Sequence, residues 1–81
     1  MFSEYLQKAM ERAEYKRLDD GSWFAHIPEF EGVWANAPTV EECRRELLEV
    51  LEEWILLKVR DGDPLPVVGG MEFKIKRVAV G

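Results

Sequence analysis

Apolar residues recur at every third or fourth position along residues 39–60, and this period predicts one long amphipathic helix. Thr39 opens the segment, and Glu42 follows three positions later. This is the spacing of a capping box, in which each side chain accepts a hydrogen bond from the backbone N–H of the other residue. Gly62 supplies a stop beyond the last turn, and two prolines then prevent the helix from resuming. The apolar stripe consists of Val40, Cys43, Leu47, Val50, Leu51, Trp54 and Leu57.

Two further groups of residues lie outside this stripe. A single supporting sheet covers an arc of about 100°, and Leu48, Ile55 and Val59 extend beyond it. We interpret these three residues either as the edge of the core or as a surface that contacts another subunit. The opposite side of the helix is acidic, which is typical of a solvated face and also attracts a basic partner. Its glutamates are Glu42, Glu46, Glu49 and Glu53.

The rest of the chain predicts a small sheet and a short helix. Residues 14–18 and 22–27 flank an Asp-Asp-Gly turn, which is a hairpin signal, and residues 33–37 predict a third strand. Residues 3–12 predict a short helix that packs either on the sheet or on another subunit. Residues 71–80 alternate as a last strand, and the preceding helix allows this strand to lie parallel to the first.

These elements predict one α+β domain over residues 1–81. Its order is β-β-β-α-β with an extra N-terminal helix, and the long helix packs on a four-stranded mixed sheet. One sheet face takes the long helix, while Phe24, Trp34 and, as a further candidate, Tyr15 belong to the other. So much aromatic surface calls for a cover. We expect either the N-terminal helix or a partner protein to supply it.

Composition limits the classes of function. With 81 residues the chain is near the lower size limit for a stable domain, which favours a homo-oligomer such as a dimer or a tetramer. The net charge of -5 disfavours nonspecific nucleic-acid binding and favours a basic protein partner. We find no segment apolar enough to span a membrane and no signal peptide. Cys43 is the only cysteine and lies on the apolar stripe, so we expect a buried thiol in a reducing, cytoplasmic setting.

Catalytic signals are weak. His26 is the only histidine, and no serine or cysteine is placed to form a triad with it. The ligand clusters of a metal site and the glycine-rich loop of a phosphate site are also missing from the sequence. Glu14, Glu42 and Glu72 are the only carboxylates that we place near a two-metal nuclease geometry, and their spacing does not require one. We therefore expect a protein that is not an enzyme, with no catalytic residues, metal or cofactor.

Several short motifs occur in a recognisable order. Residues 20–32 read DGSWFAHIPEFEG, which resembles the hairpin and "P-[DE]-[LF]-x-G" step of the HicB antitoxin family. Residues 39–43 read TVEEC and resemble the T-x-E-E-A helix start of that family. Trp54 and the Leu65-Pro66 pair also fit the pattern, so the resemblance covers residues 14–66.

This resemblance implies a partial RNase H-like fold of β-β-β-α-β order. It also implies a protein that binds and neutralises a HicA-type toxin, a small basic protein that cleaves messenger RNA. The acidic charge of this chain agrees with such a partner. We expect the contact surface to comprise the aromatic residues Phe24 and Trp34 and the acidic helix face of Glu42, Glu46, Glu49 and Glu53.

Two departures from the HicB pattern affect the expected function. Val33 and the Ala37-Pro38 pair stand where many family members have Cys and Gly-Asp or Gly-Lys. Members that repress their own operon carry a C-terminal DNA-binding domain, whereas this sequence ends at Gly81, so we expect no direct DNA binding. The alternatives are an orphan oligomeric scaffold or small-ligand-binding domain, and a residual RNase H-like nuclease.

Overall fold

The protein is represented by a computed structural model that describes residues 2–68. Two helices and three strands follow one another in the predicted order. They are α1 (Phe2–Glu11), β1 (Glu14–Arg17), β2 (Trp23–His26), β3 (Trp34–Ala37) and α2 (Val40–Asp61).

The sheet has three strands in the order β1-β2-β3, and both pairings are antiparallel. The prediction of a four-stranded mixed sheet is therefore wrong for this part of the chain. The fourth strand was predicted at 71–80, which lies outside the described residues. What the structure shows is an α+β arrangement in which an N-terminal helix and three antiparallel strands precede the long helix.

The turn between β1 and β2 forms where the Asp-Asp-Gly sequence predicted it. Gly21 has a φ of 87°, a left-handed conformation that glycine adopts without steric cost. Asp20 Oδ1 accepts hydrogen bonds from the backbone N–H of Ser22 at 2.9 Å and from Ser22 Oγ at 2.6 Å. These bonds stabilise the carboxylate and lower the pKa of Asp20. Local sequence is thus sufficient to fix the hairpin.

The ends of α2 confirm the predicted helix signals. Glu42 N–H donates to Thr39 Oγ1 at 3.2 Å, which is one of the two bonds of a capping box. At the other end Gly62 has a φ of 76°, and its N–H donates to the carbonyl oxygen of Val59 at 3.1 Å. The helix therefore begins one residue later and ends one residue later than the predicted range.

The core lies between the sheet and the two helices. Ala25, Ala35 and Ala37 face α2 from the strands, and their small side chains let the helix approach the sheet closely. Leu47 and Leu51 pack onto them from α2. Since α1 packs beside α2, the N-terminal helix packs within the subunit and does not cover the aromatic face of the sheet.

Residues 28–33 form a loop that the core holds in place. Phe30 is buried at its centre, with its ring edge-on to Tyr5 and to Trp54 at centroid distances of 6.2 and 5.0 Å. Trp54 Nε1 donates to the carbonyl oxygen of Glu31 at 3.0 Å, and Arg12 forms an ion pair with Glu29. The loop is therefore fixed to both helices, and it fixes the start of β3.

Candidate protein-binding surfaces

Aromatic side chains form a row across the sheet face that points away from the helices. The rings of Phe24 and Trp34 stack with their centroids 6.0 Å apart and an interplanar angle of 23°. His26 lies 5.8 Å from Phe24 on the same face. Trp34 is 55% exposed, an unusual exposure for a tryptophan. The structure thus brings together the two predicted aromatic contact residues.

Polar side chains lie around this aromatic row. His26 Nε2 lies 3.2 Å from Glu14 Oε1 on β1. This contact gives the imidazole of the only histidine a structural role between the two strands. Asn36 Nδ2 donates to Ser22 Oγ at 3.0 Å and to the carbonyl oxygen of Trp23 at 2.8 Å. The face is therefore a preformed surface, with aromatic rings at its centre and polar groups at its ends.

The acidic face of α2 is exposed, as the sequence predicted, but it lies on the other side of the sheet. All four of its residues are exposed to solvent, namely Glu42, Glu46, Glu49 and Glu53. Because α2 covers the inner face of the sheet, these carboxylates and the aromatic row point in opposite directions. The two predicted contact sets do not form one flat site.

The candidate oligomer residues divide between the core and its edge. Ile55 is 1% exposed in the protein's own core, so the structure does not support its use in an interface. Val59 is half-buried and packs against that core, while the half-buried Leu48 faces the groove beside α1. The exposed large apolar residues of α2 are instead Leu56 at 64%, Leu57 at 49% and Val40 at 36%. Sequence reasoning missed Leu56, although its position among the glutamates was a usable signal.

An open groove of about 820 Å³ separates α1 from the start of α2. Its apolar lining includes Leu6, Met10 and Leu48, and Tyr15 contributes from β1. Partial burial raises the pKa of Tyr15, while the nearby charge of Arg44 acts in the opposite direction. Polar side chains also line it, namely Ser3, Gln7, Glu11, Glu41 and Arg44, but the groove is open to solvent and does not enclose a small ligand.

Residues 4–66 match the family described as UPF0150-like. The chain belongs to the UPF0150-like family. Its fold also matches the crystal structure of TTHA0281 from Thermus thermophilus, with a TM-score of 0.88 and 31% sequence identity over 94% of this chain and 95% of that one. No curated protein matches the sequence.

Family membership confirms the HicB resemblance at the level of a related family, without showing an antitoxin role. The residues that carried the resemblance now have structural roles in this UPF0150-like chain. Phe30 fills the core below the loop, Gly32 has a φ of 90°, and Trp54 clamps that loop to α2. Much of the motif therefore specifies the fold, whereas Phe24 within it belongs to the aromatic row on the other face of the sheet.

The described residues offer little for catalysis. Cys43 is buried, and Sγ lies 3.5 and 3.6 Å from the carbonyl oxygens of Trp23 and Ala35. Burial raises the pKa of the Cys43 thiol, which keeps it protonated and unsuited to nucleophilic attack. Residues 2–68 contain no cluster of three or more potential metal ligands. Glu14 and Glu42 lie on different sides of the sheet, and Glu72 lies outside the described residues.

Within residues 2–68, no helix is both long enough and apolar enough to cross a membrane. The long helix α2 has 22 residues, which matches the length of a membrane span, but its sequence includes six glutamates. Its length instead serves to cover the sheet.

Proposed function

We propose that this UPF0150-like chain acts as an antitoxin-type binding protein. Its target is a small, basic, mRNA-cleaving toxin of the HicA type, which it neutralises by covering the toxin's surface in the cytoplasm. The observation that carries the proposal is the stack of the half-buried Phe24 and the exposed Trp34 on the outer face of the sheet. Large aromatic side chains on preformed surfaces are the residues that most often dominate protein–protein binding.

The acidic face of α2 supports the same proposal through a different physical effect. Its four exposed carboxylates belong to a protein with a net charge of -5. Such a field accelerates encounter with a basic partner, whereas burial of aromatic rings slows dissociation. The two surfaces therefore act in different ways, since the negative charge attracts the toxin to the protein and the aromatic row contributes the buried contact.

An RNA-cleavage assay tests the proposed function directly. A purified HicA-type toxin from the same organism should stop cleaving RNA when this chain is added in stoichiometric amount. Trp34→Ala should weaken inhibition by roughly 30-fold, the effect of losing a central aromatic anchor. Tyr15→Ala is the matched control, because Tyr15 is an exposed aromatic residue on the opposite edge of the sheet. Undiminished cleavage at excess chain, or equal effects of the two variants, contradicts the proposal.

Charge reversal separates steering from contact. Changing all four glutamates of the acidic face to lysine should slow toxin association strongly at low salt, and less as salt screens the charges. Lys16→Glu with Arg17→Glu reverses charges on β1 and should leave association as fast as in the wild type or faster. A stopped-flow on-rate that does not change in the fourfold variant removes the electrostatic part of the proposal.

The second candidate function is an orphan scaffold that acts through self-association. The exposure of Leu56 and Leu57 favours it, since apolar side chains this exposed contact a partner in many oligomers. Leu56→Lys should then reduce the assembly mass measured by light scattering, whereas Glu52→Lys on the same helix should not. Identical masses for wild type and Leu56→Lys argue against an interface at this position.

A further inference from the structure

Within residues 2–68, β3 is an edge strand, and its outer edge lies between the two surfaces that the sheet separates. Trp34 projects from β3 onto the aromatic face. On the other side of the sheet α2 lies over β3 and β2. Side chains of an extended segment alternate between the two faces of a sheet. A segment beside β3 would therefore reach the aromatic row with half of its side chains and α2 with the other half.

The backbone of β3 has hydrogen-bonding groups directed toward this edge. Ile27 N–H donates to the carbonyl oxygen of Val33 at 3.3 Å, which identifies a hydrogen-bonded pair of the β2–β3 ladder. Such pairs alternate in an antiparallel sheet, so the backbone groups of Ala35 point to β2 and those of Trp34 and Asn36 point away. Among the residues that the structure describes, β3 is the last strand on this side of the sheet.

The flank of α2 above this edge is acidic. Arg44 and Leu48 line the groove toward α1 and β1, which identifies the opposite flank of the helix as the one nearer the β3 edge. A helical period of 3.6 residues places Glu42 and Glu46 on that flank, and both are exposed. Since β3 itself carries no charged residue, the edge has a negative flank with no positive charge from the strand.

Cys43 determines where these glutamates lie along the strand. Its Sγ donates to the carbonyl oxygen of Ala35, the central inward-facing residue of β3, at 3.6 Å. Glu42 precedes Cys43 directly, and Glu46 follows it by less than one turn. Both carboxylates are therefore level with the part of the edge where Trp34 and Asn36 present their backbone groups.

We propose that the β3 edge binds an extended, basic segment of a partner protein by strand addition. The backbone of the segment pairs with Trp34 and Asn36, its basic side chains lie over Glu42 and Glu46, and its alternate side chains pack on the Trp34 ring. Where the partner is the toxin, the inference rests on the proposed function and gives it a binding mode. A second copy of this chain fits poorly, because a two-fold axis at β3 brings the acidic flanks of both copies together.

A synthetic peptide tests the edge without requiring a toxin. The probe is a peptide of about 12 residues that alternates Lys and Val, with a Glu and Val version as the control. Titrated into the full ¹⁵N-labelled chain, the basic peptide should shift the amide signals of Trp34 and Asn36 and slow their exchange with solvent. Its affinity should fall with added salt. The acidic peptide should shift neither signal.

Backbone variants give matched controls. Asn36→Pro removes an outward N–H that the β2–β3 ladder does not use, and it should weaken peptide binding by about tenfold or more. Asn36→Ala loses only the side-chain bonds to Ser22 and Trp23, and Arg17→Pro removes an outward N–H from the β1 edge. Both should bind within about twofold of the wild type. The double variant Glu42→Lys with Glu46→Lys leaves the backbone intact, and its peptide affinity should fall by a factor similar to that of Asn36→Pro. This variant keeps the test valid if the proline variant fails to fold.

Three results would overturn the inference. The first is a peptide response at Tyr15 and Arg17 on the β1 edge, or at no amide. The second is equal affinity in Asn36→Pro and Asn36→Ala with both variants folded. The third is slow exchange of Trp34 and Asn36 before peptide is added, because the backbone groups of the edge are then already paired. Toxin cleavage that the chain fails to inhibit, with the peptide results as expected, contradicts the proposed function alone.

Discussion

The two edges of the described sheet differ in how they meet solvent. All four residues of β1 are exposed, and three of them are charged, Glu14, Lys16 and Arg17. On β3, exposed and buried residues alternate, none is charged, and α2 covers the buried side. Charged side chains on an edge strand discourage pairing with another chain. The β1 edge thus carries this protection within its own strand, whereas the β3 edge has only an acidic helix beside it.

This difference means that the β3 edge selects a partner by charge. A neutral or acidic strand gains backbone hydrogen bonds there but gains no attraction from Glu42 and Glu46. A basic strand gains both the hydrogen bonds and the electrostatic attraction. Selection of this kind requires that the edge be rigid. The two ends of β3 are held by different contacts, which involve Phe30 and Trp54 at its start and the cap at Thr39 after its end. Substitutions at these contacts and on β1 test whether the two edges differ in stability.

The largest effect is expected from Phe30→Ala. The ring is buried between Tyr5 and Trp54, so its removal should lower the free energy of unfolding by about 3–5 kcal/mol. Urea denaturation followed by tryptophan fluorescence measures the change. Tyr15→Ala, on the exposed β1 edge, should cost less than about 1 kcal/mol. Similar losses in the two variants would show that the two edges are equally supported.

Gly21→Ala tests the hairpin that carries the β1 edge. The residue has a φ of 87°, and a Cβ there meets no atom within 4 Å, so backbone strain is the only cost. We expect a loss of about 1–2 kcal/mol. Gly21→Asn should cost less, because asparagine tolerates this conformation. A thermal melt in which alanine and asparagine are equally harmless would contradict the role of the left-handed turn.

Trp54→Phe removes one hydrogen bond and keeps an aromatic ring. Losing the bond from Nε1 to the carbonyl of Glu31 should lower the free energy of unfolding by about 1 kcal/mol. Hydrogen exchange in residues 28–33 should accelerate, since the loop that leads into β3 loses its tie to α2. Trp34→Phe, on the exposed face, should leave both measurements unchanged. Equal effects of Trp54→Phe and Trp34→Phe would indicate that the hydrogen bond from Trp54 to the loop does not stabilise the protein.

The smallest effect is a dependence on alkaline pH. Burial raises the pKa of Tyr5 from 10.0 to about 12, and its hydroxyl donates to the carbonyl of Pro66 at 2.5 Å. Because the folded pKa lies above the unfolded one, this stabilisation is complete below pH 10 and is lost as the pH rises toward 12. At about pH 10.5 the loss should be under about 1 kcal/mol relative to Tyr5→Phe. Parallel stability curves for the two proteins would contradict it.

Most of the helices, strands and turns were predicted from hydrophobic periodicity and from turn-forming residues. The stripe from Cys43 to Leu51, the cap at Thr39 and the turn at Gly21 each depend on residues close together in sequence. The sheet faces were also predictable, since side chains alternate along a strand and Phe24 and Trp34 share one face. The prediction was less successful for α1, because nothing in a ten-residue amphipathic segment says which side of the sheet will bury Tyr5 and Ala9.

The candidate surfaces divide in the same way. The sequence by itself determined that the glutamates of α2 and the ring of Trp34 are exposed, because they lie opposite apolar neighbours at the helix and strand periods. Only the tertiary structure decided how these surfaces lie relative to one another. It set the acidic and aromatic groups on opposite sides of the sheet, and it placed Ile55 inside the core and β3 at the edge. Those outcomes depend on contacts between distant segments, whose packing is settled by the whole core at once.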